Sequence, residues 1–189
     1  MTAWTEHLAR MGATLDETAR SIAFASPADE ARATETATIA VPLLHLGTIR
    51  SQGPDSAAFL HNLVSNDVKH MEADTAAWNS FNSPKGRMIA SFLVWTEEGG
   101  HALALSADIL PAFLKKFSMY VLRSKVKLAD ASAEVALIGL AGPQAVAIAQ
   151  AAGAALPAED MRQAVSAAGV RCIRLGAQRL VLAVATDAA

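Results

Sequence analysis

Apolar and polar residues alternate along most of this chain with the period of β-strands, and helical patterns interrupt the alternation. Near the start, Trp4, Leu8 and Met11 share one helical face, which predicts an amphipathic helix over residues 2–11. Residues 14–33 are polar and rich in alanine, and we interpret them as a linker. Residues 161–166 fit a strand or a helix equally. The remaining pattern predicts strands over 36–41, 43–52, 76–81, 88–96, 101–106, 126–131, 134–140, 170–175 and 179–186, and helices beginning at Pro54, Asp108 and Gln144.

The order of these predicted elements repeats. Two strands, a helix and three strands precede a closing helix near Arg123, and the same order recurs from residue 126 onward without a closing helix. Both inner helices begin with Gly-Pro, at Gly53 and at Gly142. The repeat predicts an α+β fold of two related half-units, each an antiparallel sheet with packed helices. We expect an N-terminal helix and linker over 1–35, a first half-unit over 36–124, and an incomplete second half-unit over 125–189.

Composition narrows the class of protein. With 189 residues, a net charge of −2 and a pI near 6.2, the chain is long enough for one domain and lacks the basic character of a nucleic-acid or anionic-membrane surface. The single cysteine, Cys172, excludes an internal disulfide and favours a cytoplasmic location, and residues 1–20 contain no targeting segment. The uncharged stretch 135–158 could span a bilayer, but Gly142 and Pro143 interrupt it, so we predict strand, turn and helix.

A turn between two predicted strands carries the first candidate site. Residues 82–88 read Asn-Ser-Pro-Lys-Gly-Arg-Met, in which proline and glycine allow the chain to reverse. Lys85 and Arg87 would flank Gly86 at the hairpin tip, where two cations could bind a carboxylate or a phosphate. The alternative is a solvated hairpin end with no ligand.

Three stretches together resemble a known family. Residues 53–60 and 65–68 are similar to the pattern G-x-D-A-x-x-F-L…T-N-D-V of the folate-binding domain in the glycine-cleavage T-protein superfamily. Residues 82–88 resemble the hairpin of the YgfZ branch of that superfamily, and residues 116–126 resemble its k-y-x-L-R-s-K-V motif. The resemblance covers roughly residues 4–185.

The resemblance implies a T-protein-like folate-binding fold and a tetrahydrofolate ligand. It also implies an accessory role in the assembly or repair of iron–sulfur enzymes, one of them a tRNA-thiolating enzyme, and hence iron–sulfur client proteins rather than direct nucleic-acid binding. The family motif K-G-C-Y-x-G-Q-E and the C-terminal barrel of the family lie beyond the matched segment, so we expect a truncated chain. Cys172 lacks that motif around it, and we expect a small buried strand residue there.

Site residues follow from the same resemblance. Trp78 stands where T-proteins often carry a tyrosine that faces the folate, so it could stack on the pterin or be an ordinary strand aromatic. Asn66 and Asp67 could bind the pterin or simply end a helix. Lys85 and Arg87 could bind the glutamate tail of the ligand. Arg123 and Lys125 could do the same or serve only as charges at the helix end. The expected cofactor-binding set is Asn66, Asp67, Trp78, Lys85, Gly86, Arg87 and Arg123.

The T-protein hairpin G-G-I-I-D-D-L provides a test for catalysis. The corresponding residues 86–92 place Ala90 and Ser91 where the acids would be, so we expect no catalytic residue and disfavour the alternative of a folate-dependent aminomethyltransferase. A third hypothesis is a folate-fold module that binds no ligand and acts only through protein contacts. Asp67, His70 and Asp74 have the only spacing suggestive of metal ligands, and we predict no metal site. A surface left uncovered by the absent helix would favour a homodimer.

Overall fold

The computed structural model describes residues 3–16, 18 and 20–186, and it confirms the predicted α+β class. No helix in these ranges is long and apolar enough to cross a membrane. Its helices are α1 (Ala3–Arg10), α2 (Pro27–Thr36), α3 (Ser56–His61), α4 (Leu110–Ser118) and α5 (Ala145–Ala151). Its strands are β1 (Thr14–Asp16), β2 (Ser21–Ala23), β3 (Ile39–Pro42), β4 (Leu46–Gln52), β5 (Ala76–Asn82), β6 (Met88–Glu97), β7 (Gly100–Ser106), β8 (Lys127–Asp130), β9 (Val135–Ala141), β10 (Gln163–Val165), β11 (Arg171–Gly176) and β12 (Arg179–Ala185).

Two predicted elements need correction, and one alternative that the sequence left open is decided. The stretch interpreted as a linker contains the β1–β2 hairpin and α2, which begins at Pro27 where Ser26 Oγ accepts the Asp29 N–H at 3.3 Å. The helix predicted to continue to Arg123 ends at Ser118, and tight turns follow it. Residues 161–166 contain the short strand β10 and no helix.

One compact unit is formed by Leu46–Ser132. Its sheet has the strand order β5-β6-β7-β4-β8, with every pair antiparallel. Phe113 and Phe117 of α4 pack on one face of this sheet. The Phe81 ring packs edge-on against both, with ring-centroid distances of 5.7 and 5.5 Å. The aromatic cluster, together with buried aliphatic side chains of β4, β6 and β7, forms the core of the unit.

The other compact unit combines Met1–His45 with Ala133–Ala189. Its sheet has the strand order β10-β11-β12-β9-β3, again antiparallel throughout. Ala145 and Ala149 of α5 are fully buried against Leu140, Leu180 and neighbouring apolar residues. A separate cluster joins α1 to the same sheet and contains Trp4, Leu8, Ala136 and Val184.

The two sheets have the same topology, and each is completed by a strand from outside its own run. The run β4-α3-β5-β6-β7 corresponds to β9-α5-β10-β11-β12. β8 precedes β9 in the chain but pairs with β4, whereas β3 precedes β4 but pairs with β9. Each of these two pairs therefore joins strands from different sequential halves, 36–124 and 125–189. The predicted domain limits themselves remain a prediction.

The repeated Gly-Pro turns lie where these completing strands enter. Gly53 has a φ of +130°, and a Cβ atom there would collide with the Lys125 carbonyl oxygen. Gly142 has a φ of +123°, and a Cβ atom there would lie 2.7 Å from Thr38 Cα. Only glycine allows both the positive φ and the close approach of the two backbones. The shared Gly-Pro thus marks the contact that lets β8 and β3 reach their sheets.

We predict that Gly53→Ala and Gly142→Ala each lower the free energy of unfolding by about 3 kcal/mol, because backbone strain and overpacking act together. Gly153→Ala is the matched control, since its φ is +79° but no atom lies within 4 Å of the added Cβ. The free energy of unfolding of this control should fall by only about 1 kcal/mol. Urea unfolding measures all three, and equal losses would contradict the close-approach explanation.

Candidate functional site

The loop after α3 lies against β5 and positions the first of the predicted site residues. Ser65 N–H donates to the Ser80 carbonyl at 2.9 Å, and Asn66 N–H donates to Asn79 Oδ1 at 2.7 Å. The Asn66 side chain donates from Nδ2 to the Trp78 carbonyl at 2.6 Å. The structure thus brings Asn66 and Trp78 together, and the Asn66 Oδ1 atom remains available as an acceptor.

Trp78 belongs to the sheet face opposite α4. Its indole is 55% exposed, and its neighbour across the ladder is Leu93. The next pair on the same face is Ser80 with Ser91, and Ser91 is exposed. Ala90 is buried on the other face in the aromatic core. Of the two positions where T-proteins carry acids, therefore, only that of Ser91 faces the same side as Trp78, and it provides a hydroxyl group.

The hairpin tip is a tight, well-bonded turn. Gly86 N–H donates to the Ser83 carbonyl at 2.9 Å, and Arg87 N–H donates to Ser83 Oγ at 3.1 Å. Gly86 has a φ of +75°, in the region that favours glycine. Lys85 and Arg87 are exposed, and neither forms an ion pair with any residue the structure describes. Their charges are therefore available to an anionic ligand.

Arg123 follows the turns after α4 and lies apart from Trp78. The Tyr120 ring packs edge-on against the Phe81 ring, with 5.8 Å between the ring centroids. This contact holds the chain after α4 against the base of the hairpin. Because Phe81 and Trp78 are an odd number of residues apart on one strand, they face opposite sides of the sheet. The Tyr120 ring therefore lies on the side opposite the Trp78 indole, and Arg123 lines the same open cleft as Tyr120.

Asp67 is already occupied by contacts within the protein. Its Oδ2 accepts a hydrogen bond from His70 Nδ1 at 2.7 Å, and its Oδ1 accepts one from the His70 N–H at 3.1 Å. His61 Nδ1 lies 3.1 Å from Oδ1 without the alignment of a hydrogen bond. The His70 side-chain bond is the largest cause that lowers the pKa of the Asp67 carboxyl group. These contacts favour the helix-ending role that the sequence left open for Asp67.

A buried polar network was missed by the sequence analysis. Ser56 stands at the alanine of the G-x-D-A pattern, and its hydroxyl donates to the Ser51 carbonyl at 2.9 Å. His101 Nδ1 lies 3.0 Å from Ser56 Oγ. Because the Ser51 carbonyl can only accept, His101 Nδ1–H is the donor to Ser56 Oγ. The contact joins residues 45 positions apart, so no local sequence pattern predicts it. The one signal in the sequence is that Ser56 replaces the alanine of the family pattern.

We predict that this network makes stability depend on pH. Burial lowers the pKa of His101 from its ordinary 6.5, although Glu97 opposes the shift. A base with a lowered folded pKa contributes stability above its unfolded pKa and loses it as pH falls. The free energy of unfolding should therefore decrease as pH drops below about 6.5, and His101→Gln should flatten that slope.

His45→Gln is the control, because His45 is exposed. Denaturant unfolding at a series of pH values should give this control the slope of the unmodified protein. An unchanged slope in His101→Gln would contradict the assigned role of the buried imidazole.

Cys172 is a buried strand residue, as expected. It lies in the apolar cluster around α5, and burial raises the pKa of its thiol to about 11. We predict that the native protein does not react with iodoacetamide at about pH 8, because thiolate is scarce and enclosed. Mass spectrometry should show alkylation only after unfolding, and rapid labelling of the native chain would contradict this.

No group of three or more His, Cys, Asp or Glu side chains able to hold a metal ion occurs in the part of the chain that the structure describes. The chemistry of the site residues suits an organic anion instead. An exposed indole provides an aromatic surface, and two unpaired cations lie at the tip of the same β5–β6 hairpin. A folate, with its flat pterin and its glutamate carboxylates, has the matching groups.

Comparison with known proteins gives a consistent family. A family model described as GCVT N-terminal domain matches residues 3–181. The crystal structure of the glycine cleavage system aminomethyltransferase T from Bartonella henselae superposes with a TM-score of 0.81 at 17% identity, covering 99% of this chain and 54% of that one. This likeness confirms the T-protein-like fold predicted from the sequence.

Curated relatives carry three different names. An iron-sulfur cluster assembly factor IBA57 homolog, mitochondrial, from Mycosarcoma maydis is 35% identical over 48% of this chain and 26% of its own length. The tRNA-modifying protein YgfZ of Vibrio vulnificus is 30% identical over 57% of this chain and 33% of its own length. An aminomethyltransferase of Shouchella clausii is 29% identical over 56% of this chain and 29% of its own length. The matches thus span about a quarter to a third of these relatives.

Proposed function

This chain belongs to the GCVT N-terminal domain family, and on that premise we propose that it is a tetrahydrofolate-binding accessory protein for iron–sulfur enzymes. The observation that carries the proposal is the exposed Trp78 on a sheet face where Ser91 stands in place of an acid. Two relatives are named for iron–sulfur cluster assembly and tRNA modification, which supports the accessory role. The proposed partners are iron–sulfur client proteins in the cytoplasm, with no direct nucleic-acid contact.

The proposed binding mode uses the groups that remain available. The pterin would stack on the Trp78 indole, and Asn66 Oδ1 would accept a hydrogen bond from a ring N–H, because its Nδ2 is already engaged. Lys85 and Arg87 would pair with the glutamate carboxylates, and Gly86 would let the ligand approach the backbone closely. Asp67 would hold the loop, and Arg123 remains a proposed contact for the far end of the tail.

The same face argues against aminomethyl transfer. Tetrahydrofolate carries one-carbon groups. Transfer of such a group requires a positioned acid or base that donates or accepts a proton at a ring nitrogen. The Ser91 hydroxyl is a poor base near neutral pH, and Ala90 is buried in the core. The aminomethyltransferase alternative nevertheless has support from relatives of similar identity, including the one from Shouchella clausii. It therefore stays as the second candidate.

We predict that 5-formyltetrahydrofolate binds this chain and that Trp78→Ala weakens binding about tenfold, because an aromatic stacking contact is lost. Lys85→Ala combined with Arg87→Ala should weaken it by a similar factor, and more strongly at low salt. Titration calorimetry measures both effects. Phe24→Ser and Lys69→Ala are the controls, since each changes an exposed side chain of similar type elsewhere.

Two outcomes would count against the proposal. Absence of binding would favour the module that binds no ligand. Equal affinity in Trp78→Ala and Phe24→Ser would contradict the proposed stacking on the Trp78 indole. A separate assay with tetrahydrofolate and an aminomethyl donor tests the other alternative, because methylene transfer to tetrahydrofolate would establish the transferase and exclude a purely accessory role.

A further inference from the structure

Three large apolar side chains are exposed just after α4. Met119, Tyr120 and Leu122 have 65, 41 and 87% of their surface exposed, although Phe113 and Phe117 of the preceding helix are buried. Folding therefore leaves these side chains in water within a span of four residues. A cluster of this kind on a soluble surface marks a site of contact with another molecule.

Leu122 is held in an unfavourable backbone conformation. Its φ is +43°, in the left-handed region that β-carbon-bearing residues rarely adopt, and its exposed side chain gains no packing in return. The conformation is fixed on its C-terminal side, where Ser124 N–H donates to the Val121 carbonyl at 2.8 Å and Lys125 N–H donates to Asp55 Oδ2 at 2.6 Å. The fold thus presents Leu122 outward at a free-energy cost that glycine or asparagine would avoid.

The chain segment that carries these side chains contains cations and no acids. Residues 109–129 contain five lysines or arginines and no aspartate or glutamate, in a chain whose net charge is −2. None of the five forms an ion pair with a residue the structure describes. We call the whole set the basic-apolar patch: Met119, Tyr120, Leu122, Lys115, Lys116, Arg123, Lys125 and Lys127.

An open cleft of about 730 Å³ lies beside the exposed leucine. Tyr120, Leu122 and Arg123 line it, together with Asp55 and Ser124. A concave site with an apolar wall and a nearby cation suits an apolar side chain followed by a carboxylate.

We propose that the basic-apolar patch is a docking surface for an acidic segment of a partner protein that carries an apolar side chain. Charge complementarity favours this occupant, because residues 109–129 contribute five cations and no acids, against the single carboxylate of Asp55 in the cleft. A second copy in a symmetric contact would set like charges against each other. The overall net charge of −2 disfavours a nucleic-acid backbone and an anionic phospholipid surface, both of which attract chains with an excess of cations.

Apart from Arg123, which is also a proposed folate contact, the patch is separate from the proposed folate site. It lies on the segment that follows α4, whereas the Trp78 indole belongs to the opposite sheet face. The docking experiment can therefore be carried out on the full chain without folate, and Arg123 need not be changed. A variant that loses peptide binding can therefore still be tested for folate binding, and the reverse also holds.

The experiment probes the full chain with an array of fluorescein-labelled peptides made of Glu, Leu and Gly in varied order, read by fluorescence anisotropy. We expect members with a leucine next to several glutamates to bind, and to bind about tenfold more weakly when salt rises from about 50 to about 500 mM. Leu122→Asn should weaken binding about fivefold or more without lowering Tm, because asparagine tolerates the left-handed conformation. The double change Lys125→Glu with Lys127→Glu should weaken it about tenfold or more.

Matched controls separate the patch from general effects. Val165→Ser removes an apolar side chain that is half exposed elsewhere, and Lys69→Glu reverses an exposed charge outside the patch. Both controls should bind the peptides as the unmodified chain does. The proposal is overturned if no peptide in the array binds, or if patch and control variants lose affinity equally. It is also overturned if RNA or phosphatidylserine vesicles bind through Leu122 while the peptides do not, or if Leu122→Asn abolishes self-association seen by sedimentation.

Discussion

The whole architecture depends on two close backbone contacts, one at each Gly-Pro turn. Gly53 approaches the Lys125 carbonyl, and Gly142 approaches Thr38, in each case at the entry of the strand that completes a sheet. The contact at Gly53 also fixes the chain just after Leu122, because Lys125 N–H donates to the Asp55 carboxylate there and Asp55 N–H donates to the Lys125 carbonyl. One constraint therefore supports both the fold of the unit and the shape of the basic-apolar patch.

A second consequence is the separation of structural and binding roles on the two faces of one sheet. One face of β5 and β6 carries Phe81, which packs with the aromatic rings of α4, while the other carries the exposed indole of Trp78. Because successive residues of a strand face opposite sides, the same short hairpin can fill the core and present a ligand surface. The two hairpin-tip cations extend this surface without disturbing the core, since they belong to a turn bonded through Ser83.

The sequence predicted the parts of this arrangement that depend on local pattern. Strand alternation, the Gly-Pro repeat and the family motifs identified the α+β class and the T-protein-like fold. The helix α2 was missed because none of its residues is buried, so it leaves no apolar period and rests on its Ser26 cap instead. The pairing of β3 with β9 joins residues about 100 positions apart, and the Ser56–His101 bond is likewise non-local, so no local pattern encodes either. The site residues predicted by resemblance stay predictions, although the contacts of Asp67 and the placement of Arg123 weaken the case for those two.

Hydrogen–deuterium exchange with and without 5-formyltetrahydrofolate tests the central claim most directly, because it locates the ligand on the chain without altering a residue. The account predicts slower exchange on ligand addition in residues 64–67 and 78–91, which hold Asn66, the Trp78 face and the hairpin tip. It predicts no change in α5, whose backbone lies in the other compact unit. Ligand-dependent protection confined to α5, or no change anywhere along the chain, would contradict the account.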